Sequence, residues 1–199
     1  MTHILMINGS YRDGGITDQT LDAMREQLQS AGAEVDEARL RDYPIEFCLN
    51  CRECTQQPGE APGQCVHDDD MAQLIRQIEQ ADGLVFASPT NAGAVTAVFK
   101  RFIERLIPFA YWPWGQPAPR LRHKPSRAKP AVLVSSSAAP AVLGRLMFDT
   151  LKQLKQAANM VGVKPVSRVF TGLVSDTPHK QISAKTRARA QAAANRLLH

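Results

Sequence analysis

Apolar and polar positions along this chain fall into alternating short runs and helical stripes. His3-Ile4-Leu5-Met6-Ile7 is a short apolar strand. From Asp18 to Ala31, the residues Leu21, Met24, Leu28 and Ala31 share one helical face, with Thr17 or Asp18 as the expected cap and Gly32 as the stop. Glu34 to Leu40 reads as a weaker second strand. Tyr43 to His67 has no period and holds all four cysteines. Asp68-Asp69-Asp70 then opens a helix, where aspartates cap and complement the dipole, and Met71, Leu74, Ile75 and Ile78 follow at helical spacing. Gly83-Leu84-Val85-Phe86-Ala87 is the continuous apolar run of a strand buried on both faces. After the loop at 88–93, Val95, Val98, Phe99, Phe102, Ile103 and Leu106 point inward from a third helix. Pro108 to Pro130 is a long connection rich in proline and aromatics. Ala131-Val132-Leu133-Val134 is a fourth strand. Leu143 to Val161 is the next helix, with Leu143, Leu146, Met147, Leu151 and Leu154 on one face. Val166 to Thr171 is a fifth strand, and Pro178 to Leu198 a final alanine-rich helix.

Five strand-helix units in succession predict an α/β fold, with a parallel sheet covered by helices on both faces. With strand order 2-1-3-4-5, ligands belong at the carboxyl ends of the strands, where the order reverses. Three loops lie there: residues 9–17, 88–93 and 135–140. The first carries three glycines, two hydroxyls and an arginine, which suits a phosphate. Glycine permits tight turns and close approach, and the following helix offers free N–H groups and a favourable dipole. Ser10 and Thr17 add hydroxyl donors and Arg12 a charged fork. The loop is neither G-x-x-x-x-G-K-[ST] nor G-x-G-x-x-G.

The chain of 199 residues, with 44% apolar and 22% charged residues, fits one domain with a full core. It has no apolar run long enough to span a membrane and no secretory leader, so a cytoplasmic setting is expected. The net charge of +5 favours anionic partners such as nucleotides, and no recognised nucleic-acid motif accompanies the basic run at 120–129. None of the five histidines falls in a catalytic constellation, and no general acid or base is assigned.

Gly9-Ser10-Tyr11-Arg12 with Gly15-Ile16-Thr17 resembles the G-S-x-R-x-x-G-x-T loop of the NAD(P)H-dependent FMN reductases, in the flavodoxin-like superfamily. Cys48-Leu49-Asn50-Cys51-Arg52-Glu53-Cys54, Gly63-Gln64-Cys65 and Asp68-Asp69-Asp70-Met71 resemble the C-x-x-C-x-x-C…G-x-C…D-D-M segment of the branch that includes the iron–sulfur flavoproteins. Ala81-Asp82, Ser88-Pro89 and Phe99-Lys100-Arg101-Phe102-Ile103-Glu104-Arg105 resemble that branch's A-D…S-P…F-K-x-F-x-D-R segment. The resemblance implies a flavodoxin-like three-layer sandwich, one FMN-binding domain over 1–199, with a cysteine-rich loop at 44–67 and an insert at 108–130. It implies an FMN phosphate on Ser10, Arg12, Gly15, Ile16 and Thr17, and a flavin ring against Pro89, Thr90, Asn91 and Gly93. Ser135, Ser136, Ser137 and Ala138 would close the other side. This chain departs from the pattern in having Thr90-Asn91 where an aromatic often follows Ser-Pro, and in having no glycine in the third loop.

The implied chemistry is hydride transfer from NAD(P)H to the flavin and on to a quinone-like, nitroaromatic or flavin acceptor. The cofactor carries the reaction and the protein positions it. Arg12, Arg120, Arg122 and Lys124 are the candidate partners of an NADPH 2′-phosphate. The cysteine spacing C-x2-C-x2-C-x10-C suits a [4Fe-4S] cluster on Cys48, Cys51, Cys54 and Cys65, with four-thiolate zinc or empty, redox-active thiols as alternatives. A loaded cluster would make the chain an electron-transfer flavoprotein served by a protein electron donor. The segment Phe109-Ala110-Tyr111-Trp112-Pro113-Trp114-Gly115 is either a packed loop or a flavin-side lid at a homo-dimer or homo-tetramer interface.

Overall fold

A computed structural model describes residues 1–122, 128–174, 177 and 179–198. A five-stranded parallel sheet is built from β1 (His3–Asn8), β2 (Glu34–Arg39), β3 (Gly83–Pro89), β6 (Pro130–Ser136) and β7 (Lys164–Thr171), in the order β2-β1-β3-β6-β7. The five sheet strands thus keep the expected sequence of neighbours. The numbering is broken by two strands the sequence did not reveal, β4 (Ala110–Tyr111) and β5 (Arg120–Leu121). They pair antiparallel as a ribbon inside the 108–130 insert.

The central strands are apolar throughout because helices cover both their faces. Leu5, Ile7, Leu84, Phe86, Ala131 and Leu133 face α3 (Met71–Gln80), α4 (Ala97–Glu104) and α6 (Thr150–Met160). Ile4, Met6, Val85, Ala87, Val132 and Val134 face α1 (Ile16–Ser30) and α7 (Ala184–Asn195). A short helix, α2 (Glu53–Gln56), lies in the cysteine loop, and α5 (Ala141–Met147) precedes α6.

The helix expected over 143–161 is interrupted. Phe148 is extended, at φ −104° and ψ 144°, and α5 and α6 lie on either side of it. The backbone at the break has another use: the Asp149 N–H donates to the Gly93 carbonyl at 2.8 Å. The interruption turns α5 away from the core. Leu143, Leu146 and Met147 are exposed, whereas Leu154 on α6 is buried. The final helix begins at Ala184, with the Ser183 hydroxyl accepting from the Thr186 N–H, rather than at Pro178, which lies outside the described residues. No helix among the described residues is long and apolar enough to cross a membrane.

Candidate functional site

The first helix meets its loop without the cap expected of it. Gly15 is the N-cap, no side chain caps the end, and Thr17 and Asp18 lie within the first turn. Asp18 instead turns back into the loop. Its carboxylate accepts from the Gly14 N–H at 2.9 Å and from the Asn8 side-chain amide at 2.8 Å. Asn8, buried at the end of β1, also donates to Glu37 and accepts from the Ser10 N–H, each at 2.9 Å. This network holds the loop open around the helix end. A buried carboxamide satisfied on every side is a stiff support.

Two glycines have separate roles. Gly14 sits at φ +62°, which a side chain disfavours. Gly9 allows close packing: a Cβ there would stand 2.7 Å from the Phe99 ring of α4. Thr96, the N-cap of α4, ties the same place together. Its hydroxyl donates to the Gly9 carbonyl at 2.7 Å, and its N–H donates to the Ser88 hydroxyl at 3.0 Å.

A cavity of about 280 Å³ opens at this end of the sheet. Ser10, Arg12, Gly15, Ile16 and Thr17 line it from the first loop, Pro89, Thr90 and Asn91 from the second, and Ser136, Ser137 and Ala138 from the third. Thr17 Oγ1 and Ser136 Oγ stand 3.4 Å apart across it. The residues expected from three separate loops therefore meet. Two expected members do not line the cavity. Gly93, at φ +80°, forms a turn whose carbonyl holds Asp149, and Ser135 is buried with its hydroxyl 3.4 Å from that of Thr90. Thr90 is further braced by the Thr150 hydroxyl at 2.9 Å. Tyr11, Thr96 and Val174, which no sequence signal marks as site residues, also line the cavity. Tyr11 gives the cavity an exposed aromatic residue, although Thr90-Asn91 stand where an aromatic often follows Ser-Pro.

The donor set suits a phosphoester. Its amides sit at an uncapped end of a 15-residue helix, with hydroxyls on two walls and a guanidinium at the rim.

The cysteine loop lies at the other end of α4. Nine steps at about 1.5 Å each place Arg105, just past α4, roughly 14 Å from Thr96 at its start. Arg105 is buried and forms a two-pronged pair with Asp69, at 2.6 and 3.0 Å. It also donates to the Glu46 carbonyl at 2.8 Å and to Cys65 Sγ at 3.5 Å. Burial raises the Asp69 pKa, but hydrogen bonds from Arg105 and from the Glu46 and Met71 N–H groups outweigh it, leaving the carboxyl below its ordinary range. The aspartate triplet is thus more than a helix start, because Asp69 anchors the cysteine loop.

Arg122 closes the loop from the insert. Its guanidinium donates to the carbonyls of Pro108, Gln57, Gly59 and Cys54 at 2.8–3.0 Å. Engaged there, it is not placed to meet an NADPH phosphate. Arg120 lies over the Tyr111 ring, also away from the 280 Å³ cavity, and Lys124 falls outside the described residues. Gly63 lets the long spacer fold back, since a Cβ there would overlap the Cys54 carbonyl.

The aromatic insert packs on the cysteine loop of its own chain. The Arg52 guanidinium carbon lies 3.7 Å from the Trp112 ring centre and 4.3 Å from that of Trp114. The Trp112 N–H donates to the Thr55 carbonyl at 2.9 Å. Within its own chain the insert is therefore a packed cover of the cysteine loop and contributes no lining residue to the 280 Å³ cavity. The His67 ring is within 3.0 Å of the Phe47 carbonyl, a structural role.

Cys48, Cys51, Cys54 and Cys65 carry free thiols. Burial, then the neighbouring Cys65, Cys48 and Cys51, push the Cys54 pKa up to about 11. The other three thiols thus lie close enough to Cys54 to disfavour its ionisation, and all four have the donor chemistry of a thiolate cluster. The expected metal site is nevertheless not assembled. Among the described residues no three His, Cys, Asp or Glu side chains could hold a metal ion together. The left-handed turns at Asn50 and Arg52 leave Cys51 exposed while Cys54 is buried.

The sequence model of the NADPH-dependent FMN reductases matches residues 2–172. An iron-sulfur flavoprotein of Archaeoglobus fulgidus is 36% identical over 107 residues, which are 54% of this chain and 46% of that protein. The chain thus spans about half the length of the curated relatives it matches. Among solved structures, the NAD(P)H:quinone oxidoreductase from Methanothermobacter marburgensis superposes with a TM-score of 0.69 at 21% identity, covering 100% of this chain and 96% of that one. An FMN-dependent NADH-azoreductase from Bacillus anthracis, solved in complex with FMN, gives 0.74 at 13% identity, covering 100% of each chain. These structural likenesses establish the flavodoxin-like arrangement of the sheet. The family match, extending from the first strand through the last strand of the sheet, places this chain in the NADPH-dependent FMN reductase family.

Proposed function

We propose that the chain is an FMN-dependent NAD(P)H oxidoreductase acting on a quinone-like, nitroaromatic or flavin acceptor. The observation that carries this reading is the uncapped α1 N-terminus opening into a hydroxyl-lined cavity at the carboxyl ends of β1, β3 and β6. The Gly15, Ile16 and Thr17 amides and the Ser10 and Thr17 hydroxyls would hold the cofactor phosphate, with Arg12 adding positive charge. Pro89, Thr90 and Asn91 would support one side of the isoalloxazine and Ser136, Ser137 and Ala138 the other, with Tyr11 at the rim. Bound FMN would supply the hydride acceptor. The chain's own task is to fix the ring and leave one face open to nicotinamide and then to acceptor. The test is FMN titration of purified protein, followed by NADH and NADPH oxidation with a soluble quinone. The reading fails if FMN does not bind, or if the FMN-loaded protein oxidises neither nucleotide.

A second reading, an electron-transfer flavoprotein with a [4Fe-4S] cluster on Cys48, Cys51, Cys54 and Cys65, is favoured by the closeness of the other three thiols to Cys54. The buried arginines 105 and 122 beside Cys65 and Cys54 would balance thiolate charge. It requires Cys51 to turn inward. Anaerobic purification with an absorption spectrum and a metal count separates the two. About four irons per chain would establish the cluster, and flavin without metal would leave the cysteines as thiols. A homo-dimer or homo-tetramer is supported by the exposed side chains of Val142, Leu143, Leu146 and Met147 on α5. A single monomeric species on a sizing column at micromolar concentration would exclude it.

A further inference from the structure

A second cavity, of about 270 Å³, opens between the cysteine loop, α4 and α6. It shares no lining residue with the cavity at the α1 N-terminus. Its apolar lining comes from Ile103, Ile107 and Met160. Cys48, Asn50 and Arg52 form the wall supplied by the cysteine loop.

That wall is strained. Asn50 and Arg52 sit at φ +54° and +65°, in the left-handed region, on either side of Cys51. Non-glycine residues keep such angles only where surrounding contacts impose them, and these residues gather at ligand-binding places. Here the imposing contacts are visible. The Arg52 guanidinium lies against the Trp112 and Trp114 rings and donates to the Trp112 carbonyl at 2.7 Å. Its Nε is buried without a hydrogen-bond partner, and among the described residues no carboxylate pairs with it. The other two charges on the cavity, Lys100 and Glu104, pair with each other at 3.3 Å. The cavity thus joins an apolar surface to an arginine that has no carboxylate partner among the described residues.

We propose that this cavity is a second ligand site, taking a small organic anion that carries a single apolar ring. The ring lies on Ile103, Ile107 and Met160, and the anionic group faces Arg52. A volume of this size accommodates one ring and its substituent, and Ile103, Ile107 and Met160 offer a single apolar surface for that ring. Placed against Cys48, such a ligand would occupy the approach to the cysteine loop without entering the flavin cavity.

Benzoate is the simplest probe, measured by saturation-transfer NMR on the full-length protein with FMN in excess. Gln156, exposed on α6, also lines the cavity and belongs to neither the flavin site nor the cysteine loop. Benzoate should bind, and uncharged benzyl alcohol should bind at least about fivefold more weakly, as expected for a hydrogen-bonded charge. Gln156→Glu should weaken benzoate binding roughly threefold and Gln156→Lys should tighten it by a similar factor, both effects fading at high salt. Binding should also alter the emission of Trp112 and Trp114, the two tryptophans of the chain, because both lie against Arg52. Equal affinity for the two probes, indifference to the charge at position 156, loss of the signal in excess FMN, or no benzoate binding up to about 20 mM, a generous ceiling for so small a ligand, would each overturn the proposal.

Discussion

The cavity at the α1 N-terminus and the cysteine loop stand at opposite ends of α4 and are built on different principles. The first uses neighbours in sequence: Asn8, Ser10, Gly14 and Asp18 support one another within eleven residues. Its other walls are the ends of adjacent strands in a rigid sheet. The second is assembled across the chain. Arg105 reaches Asp69 across 36 positions, and Arg122 reaches Cys54 across 68. A site on strand ends inherits its geometry from the sheet ladder. A long loop without regular structure needs specific ties, and here buried arginines provide them.

The largest expected effect falls on the second region. Asp69→Asn leaves the Arg105 charge buried and unpaired, which costs about 3–5 kcal/mol. Urea denaturation should register that loss, while FMN affinity changes little. A parallel drop in FMN affinity would show that the two regions are coupled through α4. Next in size is Gly9→Ala, which forces a methyl group into the Phe99 ring and should cost about 1–3 kcal/mol. Being at the root of the first loop, it should lower both thermal stability and FMN binding. Unchanged stability would mean that α4 can give way.

The double variant Ser10→Ala, Thr17→Ala removes two hydroxyls from the first cavity. It should weaken FMN binding about tenfold, equivalent to roughly 1.4 kcal/mol, with the folded state nearly unaffected. Unaltered affinity by fluorescence titration would displace the proposed phosphate site. The smallest effect concerns acid. The carboxyl of Asp69 lies below its ordinary value of 3.8. Its contribution to stability is therefore complete above that value and is lost as pH falls through the lower folded value. The denaturation free energy of Asp69→Asn should depend less steeply on pH below about 4 than that of the parent. Identical slopes would remove Asp69 from the acid response.

These two regions also differ in how far they could be read from the residues alone. The β1–loop–α1 unit was legible because its signals are local: an apolar run, glycines with hydroxyls, then a helical stripe. Even so, the roles within it shifted. Asp18 looked like a cap and is a loop brace, and Gly9, one of the three loop glycines, is there for close packing against Phe99. The break between α5 and α6 was not legible. Leu143, Leu146, Leu151 and Leu154 keep helical spacing through it, and the backbone N–H freed there bonds to Gly93, over fifty residues away. The insert gave mixed signals for a similar reason. Aromatic residues mark interfaces without saying which surface they meet, and here that surface is Arg52 of the same chain.

By itself, the sequence determined the sheet, its helical layers and the three loops that converge on one cavity, because periodicity and βα handedness leave few alternatives. The tertiary structure decided what those patterns could not carry. It chose the partners of Asp69, Arg105 and Arg122, turned α5 outward, and set Arg52 against two tryptophans. Those choices depend on pairings between residues far apart in the chain. A buried charge must find its counterpart wherever the fold brings one close, and no local pattern announces where that will be.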